Sequence, residues 1–474
     1  MVASKLILLP NYIDGSFRES KERKILKDYK GEDLAVIFNA SPADLRQAKR
    51  SVSAIKDEIK RIELRKILNL IKKSMDYYYS EESFVIISRL TGSPYNFVKK
   101  SVHELKEWAI NLEDYIVMCF NNPDYDKVPL FFKNEIVAYE KYAPSGPVIG
   151  ILPKNSEAES VYLILQILLS KSPCIIKTPS SLGSSFSSLE LIKALNKAID
   201  ILNDPELEII KKSINVVNIF TTERDDIIKK LAVEKSSYVI FGSNHTIEKV
   251  ESSLKSTNPR KIIKMGTGLS ISIVLNDADI SFAADEICNS ASIDRGNDCV
   301  STNIVYVEDS IFNDFLNKVN SISHKYESKD PFIENNIVGH VHQESVDIIK
   351  AKIASLNKEH LLRGLPDTIH LSVIELNEDD HFEEFPGPVL GIRKFKDLGH
   401  FYLLFKKDLG KNNIEKNLVS SVFTKDKNLF EQISNNIPSF TFKLNKGSEK
   451  MNFLLEHQGT YIIKELLDKK ILET

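Results

Sequence analysis

Cys299 is the side chain in this sequence best suited to nucleophilic chemistry. It ends a polar segment, residues 292–299, that follows a helical pattern and precedes the apolar run 304–307. A loop held between rigid elements often carries catalytic groups, whereas the other three cysteines lie within apolar runs, as structural cysteines do. Taken alone, this contrast leaves an inert thiol as the commoner alternative, because reactivity needs a lowered pKa that a sequence does not show.

Length and composition indicate a globular protein of two or three domains. The 474 residues are too many for one hydrophobic core, and 42% hydrophobic with 27% charged residues is an ordinary balance for a soluble chain. A formal charge of -3 argues against a nucleic-acid partner. Four scattered cysteines form neither a zinc motif nor a disulfide framework, so we expect no metal and a reducing, cytoplasmic location.

Neither apolar segment of note predicts a membrane anchor. The N-terminal stretch 6–9 is cut off by Pro10, and the longest apolar region, residues 161–169, is interrupted by Gln166 and too short to span a bilayer. We therefore expect a soluble protein without a membrane partner.

The first 115 residues read mainly as helices. Ser41 and Pro42, with Asp44 in the first turn, form a helix start, and apolar residues then recur on one face. Residues 131–142 carry a polar pair between apolar and aromatic runs, which predicts a hairpin that acts as an arm.

From Gly146 onward, short apolar runs alternate with longer helical stretches, as a parallel α/β sheet requires. The runs are residues 147–152, 174–177, 215–219 and 238–241. Ligands of doubly wound sheets bind beyond the carboxyl ends of the strands. The segments that follow three of these runs are therefore predicted to lie at one rim, although no GxGxxG or Walker loop is present.

Short motifs throughout the chain are similar to those of the aldehyde dehydrogenase superfamily, and they stand in the family's order. They are residues 12–15, 144–155, 175–177, 241–243, 276–279, 296–299 and 384–388. Each motif is weak alone, but seven in register make chance agreement implausible.

The resemblance implies a cysteine-based oxidation of an aldehyde. Cys299 would attack the aldehyde to give a thiohemiacetal. Transfer of a hydride to a nicotinamide would then leave a thioester on the enzyme. The oxyanion would be stabilised by the Asn155 amide and the backbone N–H of Cys299. The alternative for Asn155 is a loop-capping role.

The resemblance also implies a set of cofactor contacts. Lys177 matches the lysine that bonds the adenosine ribose, with a solvated strand-end lysine as the alternative. Ser180 replaces the glutamate that many NAD-preferring members use on the ribose hydroxyls, so NADP as well as NAD is permitted. The predicted cofactor-binding residues are Pro153, Lys177, Ser180, Gly242, Ser243 and Glu384.

Two of these matches carry further detail. Gly242 and Ser243 resemble the pair that begins a helix beside the pyrophosphate. Glu384 aligns with the glutamate that holds the nicotinamide ribose. Glu383 could serve instead, or the two acidic residues could face solvent.

Met265 is the departure with the largest consequence. Hydrolytic family members have a glutamate here, which activates the water that cleaves the thioester, and methionine cannot accept a proton. The segment resembles that of CoA-acylating members, so we expect interconversion of an aldehyde and an acyl thioester, with CoA as possible co-substrate. The alternatives are an ordinary hydrolytic enzyme with a replacement base such as Glu383 or Asp298, a catalytically retired nucleotide-binding member, and a cofactor-independent thioester hydrolase.

Asp298 precedes the nucleophile directly. A carboxylate aimed at the sulfur would oppose ionisation of the thiol, whereas Arg295 and Lys264 could favour it. The sequence does not give these directions.

The architecture implied by the resemblance is α/β with three parts. Residues 1–125 and 145–255 would form a Rossmann-type cofactor domain, and residues 256–445 an α/β catalytic domain. Residues 126–144 and 446–474 would form a small β arm for assembly. The apolar C-terminal tail, together with the hairpin, predicts a homodimer or homotetramer.

Overall fold

The computed structural model of the chain describes residues 6–153, 158–179, 183–220, 224–266, 268–355, 361–363, 370–412, 414–449, 456 and 458–473. The chain divides into two compact units. The first consists of Met1–Thr91, Lys100–Gly266 and Phe453–Thr474, and the second of Gly92–Lys99 and Thr267–Asn452. The proposed three-part division of the sequence stays a prediction.

Elements of the first unit, numbered in chain order, make up three sheets and the helices around them. The strands are β1 (Ile7–Leu9), β2 (Asn11–Ile13), β3 (Ser16–Arg18), β4 (Arg23–Lys27), β5 (Asp33–Phe38), β6 (Val128–Phe132), β7 (Glu135–Pro144), β8 (Val148–Ile151), β9 (Cys174–Thr178), β10 (Ile214–Asn218), β11 (Ser237–Phe241), β12 (Lys261–Met265) and β20 (Leu467–Glu473). The helices are α1 (Pro42–Ile59), α2 (Leu64–Ser74), α3 (Glu81–Thr91), α4 (Tyr95–Ile110, whose first residues belong to the second unit), α5 (Leu112–Phe120), α6 (Ala158–Leu169), α7 (Ser184–Leu202), α8 (Glu208–Ser213), α9 (Arg224–Leu231), α10 (Asn244–Leu254) and α16 (Ile462–Glu465).

The central sheet of the first unit has the strand order β12-β11-β8-β9-β10-β2-β3. Strands β8 to β12 are parallel, and the four apolar runs predicted as strands form β8, β9, β10 and β11, which confirms that prediction. The chain runs outward from β8 first to one side and then to the other. The carboxyl end of β8 is therefore the switch point of the sheet, where open α/β sheets bind ligands.

The N-terminal prediction of mainly helices is wrong for residues 7–38, where the chain forms β1 to β5. These strands are only three to six residues long, and β4 is mostly charged, so no alternating apolar pattern marks them. The predicted start of α1 is confirmed. Ser41 accepts the backbone N–H of Asp44 at 3.2 Å, and the Asp44 carboxylate accepts that of Ser41 at 2.9 Å, which is a capping box.

A separate three-stranded sheet has the order β20-β7-β6 and is called the arm sheet below. The predicted hairpin is confirmed by β6 and β7, joined through Lys133 and Asn134 in left-handed conformation. The C-terminal strand β20 pairs antiparallel with β7 along its whole length.

The second unit is a sheet with helices on both faces. Its strands are β13 (Ser270–Val274), β14 (Thr302–Glu308), β15 (Leu361–Arg363), β16 (Ser372–Leu376), β17 (Val389–Phe395), β18 (Asn417–Phe423) and β19 (Ser439–Leu444), in the order β15-β16-β17-β14-β13-β18-β19. Its helices are α11 (Ile280–Ser292), α12 (Phe312–Ser323), α13 (Gln343–Ser355), α14 (Leu398–Lys411) and α15 (Lys427–Asn436).

Successive residues of β14 enter different cores. Ile304 and Tyr306 pack with α13 and α14, whereas Val305 and Val307 pack with α11 and α12. A parallel sheet covered on both faces needs such continuous apolar strands, and it holds the loops at its edges rigidly.

Within the described ranges, no helix is long and apolar enough to cross a membrane. The same residues contain no group of three or more His, Cys, Asp or Glu side chains that could hold a metal ion.

Candidate active site

A tight left-handed loop between α11 and β14 carries the predicted nucleophile. Asp294, Arg295 and Gly296 have φ values of 46°, 68° and 65°. A Cβ atom on Gly296 would lie 2.6 Å from the carbonyl oxygen of Ala291, so only glycine fits there.

A buried ion pair stabilises this loop. The Arg295 side chain lies 3.1 Å from a carboxylate oxygen of Asp294 and donates to the Ser93 hydroxyl at 3.0 Å. Two successive non-glycine residues in left-handed conformation are unfavourable and persist only where the surroundings enforce them. The contacts of the buried Arg295 side chain, which is 2% exposed, therefore stabilise the left-handed backbone that precedes Cys299.

Cys299 is partly exposed at the end of the loop, beside Val300, Leu418 and Val419. Its carbonyl oxygen accepts the Ser270 hydroxyl at 3.3 Å, which ties the loop to β13. Its thiol donates to Oδ1 of Asp298, 3.6 Å away. The direction that the sequence left open is thus given by the structure: the carboxylate is aimed at the sulfur.

The other three cysteines are fully buried, as expected of structural residues. Burial raises the pKa of the Cys119 and Cys174 thiols to about 12, and that of Cys288 higher still. Cys299 is therefore the one of the four thiols that is not buried.

Glu384 lies in the connection between β16 and β17. Strands β14 and β17 are parallel neighbours, so the loops that precede them enter the sheet at the same edge. The two loops meet closely: a Cβ atom on Gly296 would lie 2.9 Å from the backbone of Gly387. This contact brings Glu384 into the electrostatic range of Asp298.

Two carboxyl groups at this edge have raised pKa values. Burial, reinforced by the negative charge of Asp298 and opposed by Lys352, raises the pKa of Glu384 to about 7. Burial also raises the pKa of Asp298, although its side chain keeps some solvent exposure, and the charge of Asp294 adds to the effect.

The solvent-facing alternative applies to only one member of the acidic pair. Glu383 is exposed and forms an ion pair with Lys352 at 3.2 Å, while the same lysine donates to the backbone carbonyl of Glu384 at 3.1 Å. The Glu384 carboxylate accepts no hydrogen bond from the residues that the structure describes.

In the first unit, the predicted residues Pro153, Lys177, Gly242 and Ser243 lie at the carboxyl ends of β8, β9 and β11, and Met265 ends the neighbouring strand β12. The Pro153 carbonyl accepts the Ser184 hydroxyl at 3.1 Å, and the Lys177 carbonyl accepts the N–H of Leu152 at 3.1 Å. Gly242 donates its N–H to the Met265 carbonyl at 3.2 Å.

The predicted helix start beside this rim is present. Ser243 is the N-cap of α10, and its hydroxyl accepts the N–H of Thr246 at 3.3 Å. Free N–H groups of a first helical turn attract anions, which suits a pyrophosphate. Asn155 and Ser180 lie outside the described residues.

Comparison with known proteins agrees with the motifs and the fold. A sequence model of the aldehyde dehydrogenase family matches residues 17–460. The chain belongs to the aldehyde dehydrogenase family. It is 24% identical over 440 residues to a lactaldehyde dehydrogenase of Methanococcus vannielii, covering 90% of this chain and 89% of that one. It is also 24% identical to aldehyde dehydrogenase [NAD(P)+] 2 of Saccharomyces cerevisiae, covering 93% and 88%.

The fold of this aldehyde dehydrogenase has a close structural counterpart. A salicylaldehyde dehydrogenase of Pseudomonas putida superimposes with a TM-score of 0.82 at 16% identity, covering 99% of this chain and 98% of that one. The family assignment and the α/β fold predicted from the motifs are confirmed, and the protein is an NAD(P)-dependent oxidoreductase that acts on aldehydes.

Sequence reasoning missed that Asp298 of this aldehyde dehydrogenase lies within electrostatic range of Glu384. A usable signal existed, since both residues precede apolar runs that become strands. What the sequence did not indicate was that these strands, β14 and β17, are neighbours.

Proposed function

We propose that this aldehyde dehydrogenase passes the acyl group from Cys299 to a thiol, CoA in the first instance, and so interconverts an aldehyde and an acyl thioester with NADP or NAD. The observation that carries the proposal is the side chain at the end of β12. Met265 stands where hydrolytic members of the family have a glutamate.

Met265 lacks the properties of a base. It is 2% exposed, and a thioether is at most a weak hydrogen-bond acceptor that cannot take a proton at neutral pH. A shift of the alignment by one residue does not restore a carboxylate, because Lys264 then takes the position and is paired with Glu251 at 2.9 Å. Strand β12 contains no acidic residue at all.

The rim of the first unit fits a nicotinamide dinucleotide. It lies at the switch point of a parallel sheet, with Lys177 at the end of β9 and the start of α10 after β11. The bound cofactor would accept the hydride of the aldehyde. Lys177 would bond the adenosine ribose, the Gly242–Ser243 turn would face the pyrophosphate, and Glu384 would hold the nicotinamide ribose. Ser180, which is uncharged, would not repel a 2′-phosphate.

The protein's own groups would perform the acyl transfer. Cys299 would form the bond to the carbonyl carbon, while its backbone N–H and the Asn155 amide would stabilise the oxyanion. With no carboxylate at Met265 to orient water, the thioester would persist until a thiol displaced Cys299.

The test is the appearance of NAD(P)H from a panel of aldehydes with and without CoA, including the first turnover. We expect a stoichiometric burst without CoA and sustained turnover with it. Sustained turnover without CoA would contradict the acylating proposal, and absence of a burst would favour a retired nucleotide-binding member.

Met265→Glu provides the matching gain of function. We expect the variant to hydrolyse its acyl-enzyme at least about tenfold faster, because general-base catalysis is typically worth more than that. Met265→Gln is the control, since it adds polarity without a base. Equal CoA-independent rates in both variants would count against the role assigned to this position.

An ordinary hydrolytic enzyme is the second candidate, favoured by one observation. Glu384, with a pKa of about 7, lies in range of Asp298 near the nucleophile, and such a carboxyl group can exchange protons at neutral pH. The CoA dependence of turnover separates the two candidates.

The arm sheet supports a proposed homodimer or homotetramer. Phe131 and Phe132 are each 64% exposed, Ile471 is 50% exposed, and β20 and β6 are both edge strands. Exposed apolar edges of this kind are normally covered by a partner. Phe131→Lys combined with Ile471→Lys should lower the mass measured by light scattering to that of a smaller assembly, whereas Leu403→Lys on α14, at 70% exposure, should not.

A further inference from the structure

The strongest unassigned feature is the contact between the nucleophile and the carboxylate that precedes it. The Cys299 thiol donates to Oδ1 of Asp298 at 3.6 Å, and the same oxygen accepts the backbone N–H of Val300 at 3.4 Å. The Asp298 carbonyl accepts the N–H of Ser301 at 2.9 Å. The carboxylate is thus fixed by its own turn toward the sulfur.

The charges around Asp298 come from several elements. Asp294, in the same loop, is negative, and Lys443 of β19 is positive, while Glu384, in the connection that precedes β17, is an acid with a pKa of about 7. Among the residues that the structure describes, no lysine or arginine forms an ion pair with Asp298. Burial and Asp294 raise the pKa of this carboxyl, which makes it a stronger base than an exposed aspartate.

We propose that Asp298 is a catalytic residue that takes the proton of Cys299 when the nucleophile attacks and gives it back when Cys299 leaves. This rests on the proposed function to the extent that Cys299 forms the thioester. It assigns proton transfer to a residue next to the nucleophile, in a chain that lacks the glutamate at Met265.

The proton of Cys299 would move to Asp298 and back during one reaction cycle. As the sulfur bonds to the aldehyde carbon, the S–H proton passes to Oδ1 of Asp298 and the carbonyl π pair moves to oxygen. An oxidised nicotinamide, when bound, would supply the acceptor for the C–H pair as hydride, and the carbonyl would re-form as a thioester on Cys299. When an incoming thiol attacks, its own proton goes to solvent, the C–S pair returns to sulfur, and Asp298 reprotonates Cys299.

This arrangement differs from a cysteine activated by a cation. A cation beside a thiol favours the thiolate in the resting enzyme, whereas a carboxylate at hydrogen-bond distance opposes it. The resting pair here would be a neutral thiol and a carboxylate. Removal of the negative charge should therefore have two opposite effects: more thiolate at rest, but no acceptor for the proton during attack.

Asp298→Asn tests both effects in the full-length enzyme. Asparagine keeps an oxygen that can accept the Val300 N–H, so the turn is retained. Two rates are measured near neutral pH: alkylation of Cys299 by iodoacetamide, followed by peptide mass spectrometry, and the first-turnover burst of NAD(P)H with an aldehyde. We expect alkylation at least about tenfold faster, because a nearby like charge is lost, and a burst about a hundredfold slower or worse, because a general base is lost.

Two further variants serve as references. Asp298→Glu keeps a carboxylate and should recover part of the burst while holding alkylation slow. Asp285→Asn removes an exposed charge from α11 and should change neither rate. Thermal midpoints and cofactor binding of each variant establish that it is folded.

The opposite signs make the outcome decisive. If alkylation and the burst of Asp298→Asn fall together, Asp298 has a structural role, and if neither changes it has none in proton transfer; both results overturn the proposal. If the wild-type enzyme gives no burst with any aldehyde, the proposed function fails, while the alkylation rates still decide whether Asp298 controls the proton of Cys299.

Discussion

Two clusters in the second unit each place a carboxylate near the parallel sheet. They differ in whether that carboxylate is paired with a cation. In the first, Asp408 accepts the Tyr306 hydroxyl at 2.6 Å on one oxygen and the Arg393 guanidinium at 2.9 Å on the other. In the second, Asp298 accepts the Cys299 thiol and lies within electrostatic range of another carboxyl group, that of Glu384.

From this difference we predict that the first cluster contributes mainly to stability and the second to chemistry. Arg393 is 1% exposed and donates further to the backbone carbonyls of Asn377 and Asp380, so each charge of that cluster has a fixed partner. At the Cys299 loop, negative charges accumulate and the donor is a thiol that can give up its proton. Burial raises carboxyl pKa values in both clusters, so the contrast lies in the partners: Asp408 has fixed charged and hydroxyl donors, whereas Asp298 faces a thiol.

The largest expected effect comes from removing the nucleophile. Cys299→Ala should lower aldehyde turnover at least about a thousandfold while cofactor binding is retained, because the covalent route is lost and the rim of the first unit is untouched. Cys119→Ala is the control, since that buried thiol should affect stability and not turnover per folded molecule. NAD(P)H formation by Cys299→Ala at the wild-type rate would contradict the role of Cys299 as the nucleophile, on which the comparison of the two clusters depends.

The paired cluster should respond in stability instead. Asp408→Ala leaves the Arg393 charge buried without its partner and should lower the free energy of unfolding by roughly 3–5 kcal/mol. Tyr306→Phe removes a single hydrogen bond and should lower it by roughly 1–3 kcal/mol. Denaturant unfolding measures both values, and turnover per folded molecule should stay unchanged. A selective loss of turnover in Tyr306→Phe would mean that this cluster also takes part in chemistry.

The sequence indicated one half of this comparison better than the other. Cys299 could be predicted because a polar loop between two patterned elements is a local feature. The electrostatic coupling of Asp298 and Glu384 depends on the pairing of strands β14 and β17. Helices α12 and α13 and strands β15 and β16 lie between these two strands in the chain. Strands β1 to β5 were not predicted for a related reason. They are short, and they are stabilised by pairing with other segments, which the sequence of one segment does not indicate.

The arm sheet and strands β8 to β11 of the first unit were easier to predict. Strands β8 to β11 are continuous apolar runs, because they are buried on both faces. The arm hairpin consists of two apolar runs with a polar turn between them. Asp298 lacked that kind of signal, because the direction of a loop side chain depends on backbone conformation. The left-handed residues Asp294, Arg295 and Gly296 set that conformation here.

The smallest expected effect is a pH dependence of the free energy of unfolding that Glu384 causes. The pKa of Glu384 is raised above its ordinary value of 4.5 to about 7 in the folded protein, chiefly by burial. The folded state therefore holds a proton that the unfolded state has already lost, and this contribution to stability is full at acid pH and disappears as the pH rises through about 7. Glu384→Gln should thus match the wild type at about pH 4 and exceed its free energy of unfolding by roughly 1–3 kcal/mol at about pH 8.

The same measurement on a second background isolates the contribution of Asp298. In Asp298→Asn, the pKa of Glu384 should move toward its ordinary value, because one of the charges that raise it is gone, and the advantage of Glu384→Gln at alkaline pH should shrink. Glu344→Gln, an exposed substitution on α13, is the control for an unspecific charge effect. An alkaline advantage of equal size in both backgrounds would show that Glu384 and Asp298 titrate independently, and the second cluster would then be two separate acids and not a coupled pair.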